Sequence, residues 1–208
     1  MIYALSISTV KFLDFERGIQ QLVDGGTDIF HVDIMDGHYI NNLCFPVSVV
    51  RELKERYPQI PAEVHLMVDN PADYIQPLKE AGADYVSFHV DSTSFVIRTL
   101  RSIRGAGMKA GVVINPSQRI DIIKPFINYL DYVIVMSVEP GFIGQAFLEG
   151  SFERIEELSR MRAEAKLNFL ISVDGGIVTP QLPGECEARG ADMIVTGLHT
   201  ECFKNRKK

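Results

Sequence analysis

The sequence predicts an α/β fold, a (β/α)8 barrel of the TIM type with a short or missing last helix. Three observations predict it: β-rich segments alternate with helix-length amphipathic segments, eight such β segments occur, and glycines separate several helices from the strands that follow. A repeated β-then-α order is typical of a parallel sheet covered by helices, and eight strands are enough to close a barrel. We expect one domain over residues 1–208, because 46% of the residues are hydrophobic and no linker interrupts the pattern.

The individual elements follow from periodicity and from turn residues. Gly25-Gly26 ends the first predicted helix, and Asn70-Pro71 opens the third. The predicted strands are Tyr3–Ile7, Ile29–Met35, Ala62–Met67, Tyr85–His89, Lys109–Ile114, Tyr132–Val135, Phe169–Val173 and Met193–Thr196. The predicted helices are Phe12–Val23, Val47–Tyr57, Ala72–Glu80, Ser94–Arg104, Ile120–Ile127, Phe152–Ala165 and Gln181–Ala188. Only residues 197–208 follow the last strand, so an eighth helix has room for one or two turns.

Composition excludes several classes of function. The formal net charge of −6 argues against a nucleic acid partner or an anionic membrane partner, and the basic run Lys204–Lys208 is expected to be a solvated tail. No apolar run approaches the roughly 20 residues of a membrane helix, and Met1–Val10 lacks the pattern of a signal peptide. Three widely spaced cysteines predict a cytoplasmic protein rather than a disulfide framework.

Four ionisable side chains lie at predicted strand ends. His31 and Asp33 are two residues apart on the second strand and therefore point to the same face, while His65 and Asp174 end the third and seventh strands. Any one of them could serve only as a hydrogen-bonding or capping group. Four at matching ends favour a site for one divalent transition metal, and two imidazoles with two carboxylates suit Zn, Fe, Mn or Co better than Mg.

Glycines mark the loops after the last three strands. Gly141 and Gly144 follow the sixth strand, Gly175-Gly176 follows the seventh, and Gly197 follows the eighth. A glycine lets backbone N–H groups approach an anion closely, and barrels of this type bind phosphate in their last loops. Each glycine alone could be a turn residue, but three successive loops favour a phosphate site.

A metal site and a phosphate site on one rim suggest a reaction on a phosphorylated carbonyl compound. A divalent metal would stabilise the enediolate that forms when a proton leaves the carbon beside the carbonyl. Asp33 and Asp174 come from strands far apart in the chain, so they could exchange protons with that carbon from opposite faces and invert it.

Four segments together resemble the ribulose-phosphate 3-epimerase family, in register from Ser6 to about Phe203: His31–His38, Val64–Val68, Met136–Phe142 and Val173–Ile177. The resemblance implies an isomerase of carbohydrate metabolism, in the pentose phosphate pathway, that epimerises C3 between D-ribulose 5-phosphate and D-xylulose 5-phosphate. It implies that the metal ligands are His31, Asp33, His65 and Asp174. It also implies that two of these ligands, Asp33 and Asp174, are the acid–base pair. It also implies homo-oligomers and substrate contacts from Ser6, Met35, Met67, Met136, Gly141, Phe142, Gly144, Gly175, Gly176 and Gly197, with His89 as a wall of the pocket.

Several positions depart from that family pattern. Ile143 stands where a small residue is usual, Leu198 where a hydroxyl or amide side chain is usual, and Asn41 where a proline is usual. Pro183-Gly184 is expected to interrupt the seventh helix. These departures predict a divergent paralogue and leave open three alternatives. They are a D-allulose 6-phosphate 3-epimerase, a catalytically weak sugar-phosphate-binding protein, and, less favoured because no strand end carries a lysine, a decarboxylase or aldolase.

Overall fold

The computed structural model describes residues 1–205, which form a closed barrel of eight parallel strands in the order of the sequence. The predicted (β/α)8 barrel is therefore confirmed. Each strand pairs with the next one in the chain, and the eighth pairs with the first through five residues on each side. The strands are β1 Ile2–Ser6, β2 Ile29–Met35, β3 Ala62–Met67, β4 Tyr85–His89, β5 Lys109–Ile114, β6 Tyr132–Met136, β7 Leu170–Asp174 and β8 Met193–Gly197.

Helices cover the outside of the barrel. They are α1 Phe15–Asp24, α2 Ser48–Arg56, α3 Ile75–Ala81, α4 Val96–Gly105, α5 Ser151–Glu164, α6 Leu182–Glu187 and α7 Glu201–Asn205. Short 3-10 turns, Phe12–Asp14 and Pro71–Tyr74, begin the segments that continue as α1 and α3.

Two proline-containing helices differ from the prediction. The helix predicted over Ile120–Ile127 is a 3-10 helix that runs over Ile120–Tyr129 and contains Pro125. Proline has no N–H to donate, and its ring crowds the preceding turn, so a regular α-helix is disfavoured there. Pro183 does not interrupt its helix, because α6 begins at Leu182 and places Pro183 in the first turn, where a missing N–H costs little.

The strands bury side chains on both faces, as expected for a parallel barrel. One apolar cluster, including Ala4, Ile134 and Met193, fills the barrel interior. A much larger one, including Val32, Leu66 and Leu100, lies between the strands and the helices. Since successive side chains alternate between these clusters, the inward positions at the carboxyl ends of the strands are available for polar groups.

The last helix is short rather than missing. Helix α7 buries Cys202 and Phe203, and the Phe203 ring lies where a Cβ on Gly25 would be, 1.9 Å from such an atom. The short helix therefore covers part of the face that the sequence leaves open. Of the predicted basic tail, Lys204 is exposed and residues 206–208 lie outside the described part of the chain. No helix within residues 1–205 is both long enough and apolar enough to cross a membrane.

Candidate active site

His31, Asp33, His65 and Asp174 meet at the carboxyl ends of β2, β3 and β7. One ligand atom from each residue lies within 4.8 Å of the other three. His31 Nε2 is 3.1 Å from Asp33 Oδ1 and 3.6 Å from Asp174 Oδ2, and His65 Nδ1 is 3.4 Å from each of the same two oxygens. The predicted tetrad is thus assembled by the barrel, with both imidazoles between the two carboxylates.

The spacing of these atoms fits a small divalent cation. Nitrogen and oxygen ligands about 2.0–2.2 Å from a tetrahedral ion lie roughly 3.3–3.6 Å from one another. The four contacts between imidazole and carboxylate span 3.1–3.6 Å, so little movement would be needed. Two nitrogens and two carboxylate oxygens are also a donor set that transition metals accept and that Mg²⁺ seldom uses.

The charges of the tetrad are strongly coupled. Burial disfavours the charged imidazolium of His31, but Glu63, Asp33 and Asp174 raise the pKa of His31 well above its ordinary value. Against burial, hydrogen bonds to Asp174 and Asp33 raise the pKa of His65 to about 9. Burial likewise opposes ionisation of Asp33, yet the two imidazoles hold the pKa of Asp33 well below its ordinary value. Opposite charges thus outweigh burial in setting the pKa values of these three residues.

His89, expected as a wall of the pocket, contacts a tetrad residue directly. Its Nε2 is 2.8 Å from His65 Nε2, and the two rings stack with centroids 5.0 Å apart. The Tyr39 ring lies 4.7 Å from the His89 ring. The Tyr39 hydroxyl donates a hydrogen bond to Asp91 Oδ1 and accepts one from Asn115 Nδ2, each 2.8 Å long. Sequence analysis missed Tyr39, Asp91 and Asn115, because their contacts depend on loops that meet only in the barrel.

Histidine 89 is an uncharged neighbour in this arrangement. Burial, and then the positive charge of His65, hold the pKa of His89 well below its ordinary value, against a smaller opposing effect of Asn115. A neutral imidazole can accept a proton from His65 Nε2 in a hydrogen bond, which leaves His65 Nδ1 directed at the tetrad. This agrees with a supporting position rather than a ligand position for His89.

The other predicted substrate residues line the same rim. Ser6 Oγ donates a hydrogen bond of 3.2 Å to Asp33 Oδ2, and a second hydrogen bond of 2.6 Å joins it to Ser8 Oγ. Met67 and Met136 are buried and Met35 is half-buried, each at the last position of its strand. Met35 and Met67 pair with each other at the ends of β2 and β3, the strands that carry His31, Asp33 and His65. Met136 ends β6 and pairs with Asp174 on the neighbouring strand.

The glycine loops are tied to one another. Gly175 and Gly176 both have positive φ, and a Cβ on Gly176 would lie 2.5 Å from the backbone nitrogen of Phe147. Only glycine allows that approach between the loops after β6 and β7. Ser137 Oγ joins the same two loops by donating to the Gly175 carbonyl at 2.6 Å. Gly197 is the last residue of β8 and pairs with Ser6.

The outer part of the rim is more open. Gly141 is buried, and its carbonyl accepts a hydrogen bond of 2.8 Å from Asn42 Nδ2, which links the loops after β2 and β6. Phe142, Ile143 and Gly144 are exposed, and 71% of Ile143 is accessible to solvent. The Phe142 side chain is therefore largely accessible to solvent.

Leu198, which stands where a hydroxyl or amide side chain is usual, is a core residue. Its side chain is buried, and its backbone N–H donates to Thr9 Oγ1 at 3.1 Å. The residue thus connects the end of β8 to the 3-10 turn Ile7–Thr9, which follows β1, and packs in the core instead of reaching the rim.

Comparison with solved structures identifies the fold. A mutant tryptophan synthase alpha-subunit from Pyrococcus furiosus aligns with a TM-score of 0.71 at 14% identity, over 99% of this chain and 94% of that chain. A 3-hexulose-6-phosphate synthase aligns with a TM-score of 0.65 at 16% identity, over the same shares of both chains. At such low identity these similarities concern the barrel alone.

Sequence comparison identifies the family. Ribulose-phosphate 3-epimerases are 41% identical in Aquifex aeolicus, over 86% of this chain and 80% of that protein, and 38% identical in Treponema pallidum, over 93% and 88%. The enzyme of that name in Bacillus subtilis is 36% identical over 99% of this chain and 94% of its own length. The pattern of the ribulose-phosphate 3-epimerase family matches residues 2–200. The chain therefore belongs to the ribulose-phosphate 3-epimerase family.

Proposed function

We propose that this protein is an isomerase that epimerises C3 of D-ribulose 5-phosphate to give D-xylulose 5-phosphate. The observation that carries the proposal is the tetrad, in which two carboxylates from β2 and β7 meet two histidines at the carboxyl end of the barrel. Enzymes with this fold carry out their chemistry at that end. Relatives that span nearly the whole chain bear the name of this epimerase.

We assign the metal site to His31, Asp33, His65 and Asp174. A divalent transition metal bound there would supply a Lewis acid that polarises the substrate carbonyl. The four side chains are suited to hold it because they are at least largely buried and present one nitrogen or oxygen each to a common centre. Zn, Fe, Mn and Co all accept this set of nitrogen and oxygen donors.

We assign proton transfer to Asp33 and Asp174. Each carboxylate directs one oxygen at the histidines, and the second oxygen of Asp33 accepts from Ser6 at 3.2 Å. In the proposed reaction, one carboxylate removes the proton from C3 and the other returns a proton to the opposite face. The same sequence run in reverse gives the starting sugar, as epimerisation requires.

We assign the remaining rim to the sugar phosphate. The proposed contacts to the sugar come from Ser6 and from Met35, Met67 and Met136, which end their strands beside the tetrad. The phosphate would lie against the backbone of Gly141, Phe142, Gly144, Gly175, Gly176 and Gly197. Glycines in these loops leave backbone N–H groups accessible to an anion.

Replacing Asp174 by Asn tests the chemistry. We expect the turnover of D-ribulose 5-phosphate to fall by about 10²- to 10⁴-fold, the contribution of one acid–base group, while the melting temperature changes little. Wash-in of deuterium at C3 from D₂O should fall with it. Near-normal turnover in Asp174→Asn would contradict the mechanism, and wild-type protein without exchange would favour a binding protein. Faster turnover of D-allulose 6-phosphate would contradict the pentulose substrate.

The metal is tested on protein purified without added ions. Elemental analysis should find one transition metal per chain, and removal with a chelator should abolish turnover until Zn²⁺, Fe²⁺, Mn²⁺ or Co²⁺ is restored. The ion that restores the highest rate identifies the preferred metal. Full activity in the metal-free protein would contradict this part of the proposal.

We also propose that the protein is a cytoplasmic homo-oligomer without a nucleic acid partner. Support for self-association comes from the 3-10 turn Phe12–Asp14, where Leu13 is fully exposed and Phe12 is 73% exposed. Large apolar side chains that are exposed next to each other are typical of a contact between proteins. The location and the lack of a nucleic acid partner continue to rest on cysteine spacing and on the net charge of −6.

A further inference from the structure

Glu63 is a buried acid that the proposed chemistry does not use. It lies on β3, two residues before His65, so both side chains point into the barrel. Its side chain is completely inaccessible to solvent. Glu63 Oε2 lies 2.5 Å from His31 Nδ1, whereas His31 Nε2 is the atom that faces Asp33 and Asp174. Glu63 is therefore placed behind the His31 ring, on the side away from the tetrad.

The second carboxylate oxygen of Glu63 is held by two hydroxyl groups. Ser87 Oγ, from β4, and the Tyr132 hydroxyl, from β6, both donate to Glu63 Oε1 at 2.9 Å. Three groups from three other strands thus contact the two oxygens. A buried carboxylate needs such partners, and with all of them present its orientation is determined.

The Tyr132 ring reaches Glu63 because the neighbouring strand leaves room for it. Gly111 on β5 pairs with Tyr132, and a Cβ on Gly111 would lie 2.5 Å from Cε1 and Cζ of the ring. Any larger residue at position 111 would push the ring away from Glu63. The interior of the barrel is therefore shaped around this contact over four adjacent strands, from β3 to β6.

We propose that Glu63, held by Tyr132 and Ser87, is a positioning residue for the metal ligand His31. In this role the carboxylate accepts a hydrogen bond from the Nδ1–H group of His31, which selects the tautomer with a lone pair on Nε2 and prevents rotation of the ring. A ligating histidine commonly has such a carboxylate partner, which also makes the imidazole a better donor to the metal. The inference rests on the proposed metal site and extends it by one layer into the barrel.

Zinc affinity tests this role without reference to catalysis. Metal-free protein is titrated with Zn²⁺ in competition with a chromogenic chelator. We expect Glu63→Gln to weaken binding by about 10- to 100-fold, the usual effect of losing such a partner, and Tyr132→Phe to weaken it less. Ser172→Ala is the matched control, since its buried hydroxyl on β7 has no hydrogen-bond partner within residues 1–205. Its affinity should stay within about twofold of wild type.

A double-mutant cycle separates positioning from a general structural effect. If Glu63 acts through His31, Glu63→Gln should change the zinc affinity of His31→Ala protein by no more than about twofold. A full loss in that background, or an unchanged affinity in Glu63→Gln alone, would overturn the inference. Melting of each metal-free variant shows that it is folded, and Tyr132→Phe replaces Glu63→Gln in the cycle if the latter does not fold. Wild-type protein that fails to bind Zn²⁺ or Co²⁺ would instead overturn the metal site itself.

Discussion

At the scale of single residues, neighbours decide the protonation of the site more than burial does. Burial alone would lower the pKa of His31 and His65 and raise the pKa of Asp33, but all three shift in the opposite direction because each faces opposite charges. His89 shows the other case, because burial and then the positive charge of His65 both lower its pKa. The pKa values of these two buried histidines thus shift in opposite directions, because His65 lies beside two carboxylates and His89 lies beside His65.

Asp36 illustrates the same principle in the loop after β2. Its Oδ1 accepts from the backbone N–H groups of His38 at 2.8 Å and Tyr39 at 3.1 Å, and its Oδ2 accepts from Asp69 N–H at 2.8 Å. Burial opposes ionisation, but these three hydrogen bonds lower the pKa of Asp36. The carboxylate holds the loop that carries Tyr39 against the loop after β3.

The lowered pKa of Asp36 predicts a pH-dependent stability. The contribution of this carboxylate should be fully present above the unfolded-state pKa of about 4 and should be lost as the pH falls through the lower folded-state pKa. Asp36→Asn should therefore reduce the free energy of unfolding by about 1–2 kcal/mol near neutral pH and by less in acid. Urea unfolding at several pH values measures the difference. Asp24→Asn, on the exposed side of α1, is the control, and a difference independent of pH would contradict the assignment.

At this scale, the sequence predicts which residues of β2 and β3 face the barrel interior, but not what they contact there. The spacing of two residues placed His31 and Asp33 on one face of β2, and the same spacing holds for Glu63 and His65 on β3. Glu63 was therefore detectable as an inward-facing residue. Its contact with Tyr132 was not, because that contact depends on the space beside Gly111 across the barrel.

At the scale of elements, strands were predicted more closely than helices. Period-2 patterning and the buried character of the strands set their bounds to within one residue in every case. Helix ends differ because 3-10 turns precede α1 and α3, and because proline has opposite effects at its two positions. Pro125 lies inside a segment and Pro183 lies in a first turn, a distinction that requires the true start of each helix.

The short helix α7 is expected to matter for stability. Phe203 is 9% exposed and packs against Gly25, at the end of α1, so Phe203→Ala would remove a buried aromatic ring that joins α7 to α1. We expect a loss of about 3–5 kcal/mol in the free energy of unfolding. Thermal and urea unfolding measure it, with Lys204→Ala on the exposed face of α7 as the control. Equal stability of both variants would show that α7 does not contribute to the fold.

At the scale of the whole molecule, closure of the barrel assembles the site. Asp33 and Asp174 lie on β2 and β7, which are joined in space through β8 and β1. An open sheet in the same order would hold these strands far apart at opposite sides. The pairing of β8 with β1 is thus the step that brings the two proposed acid–base groups to one centre.

The proposed self-association has a specific test at the 3-10 turn Phe12–Asp14. Phe12 packs near Phe15 and Phe45, with ring centroids 6.3 Å and 5.6 Å away, and Leu13 next to it is fully exposed. Leu13→Asp should dissociate the oligomer into monomers, because a charge in an apolar contact loses its hydration. Light scattering during size-exclusion chromatography measures the mass. An exposed polar change elsewhere, Gln20→Ala, is the control, and an unchanged oligomer in Leu13→Asp would place the interface on another surface.

The sequence by itself determined the barrel, the strand ends and the identity of the tetrad, because periodicity and glycine positions are local properties of the chain. Tertiary structure alone decided which groups stand behind the tetrad, how Leu198 is used and how far α7 covers the barrel. Those features depend on register and on space between strands that are distant in sequence. Glu63 lies behind His31 because β3 pairs with β2 in one register, and a shift by one residue would turn it away from the barrel interior.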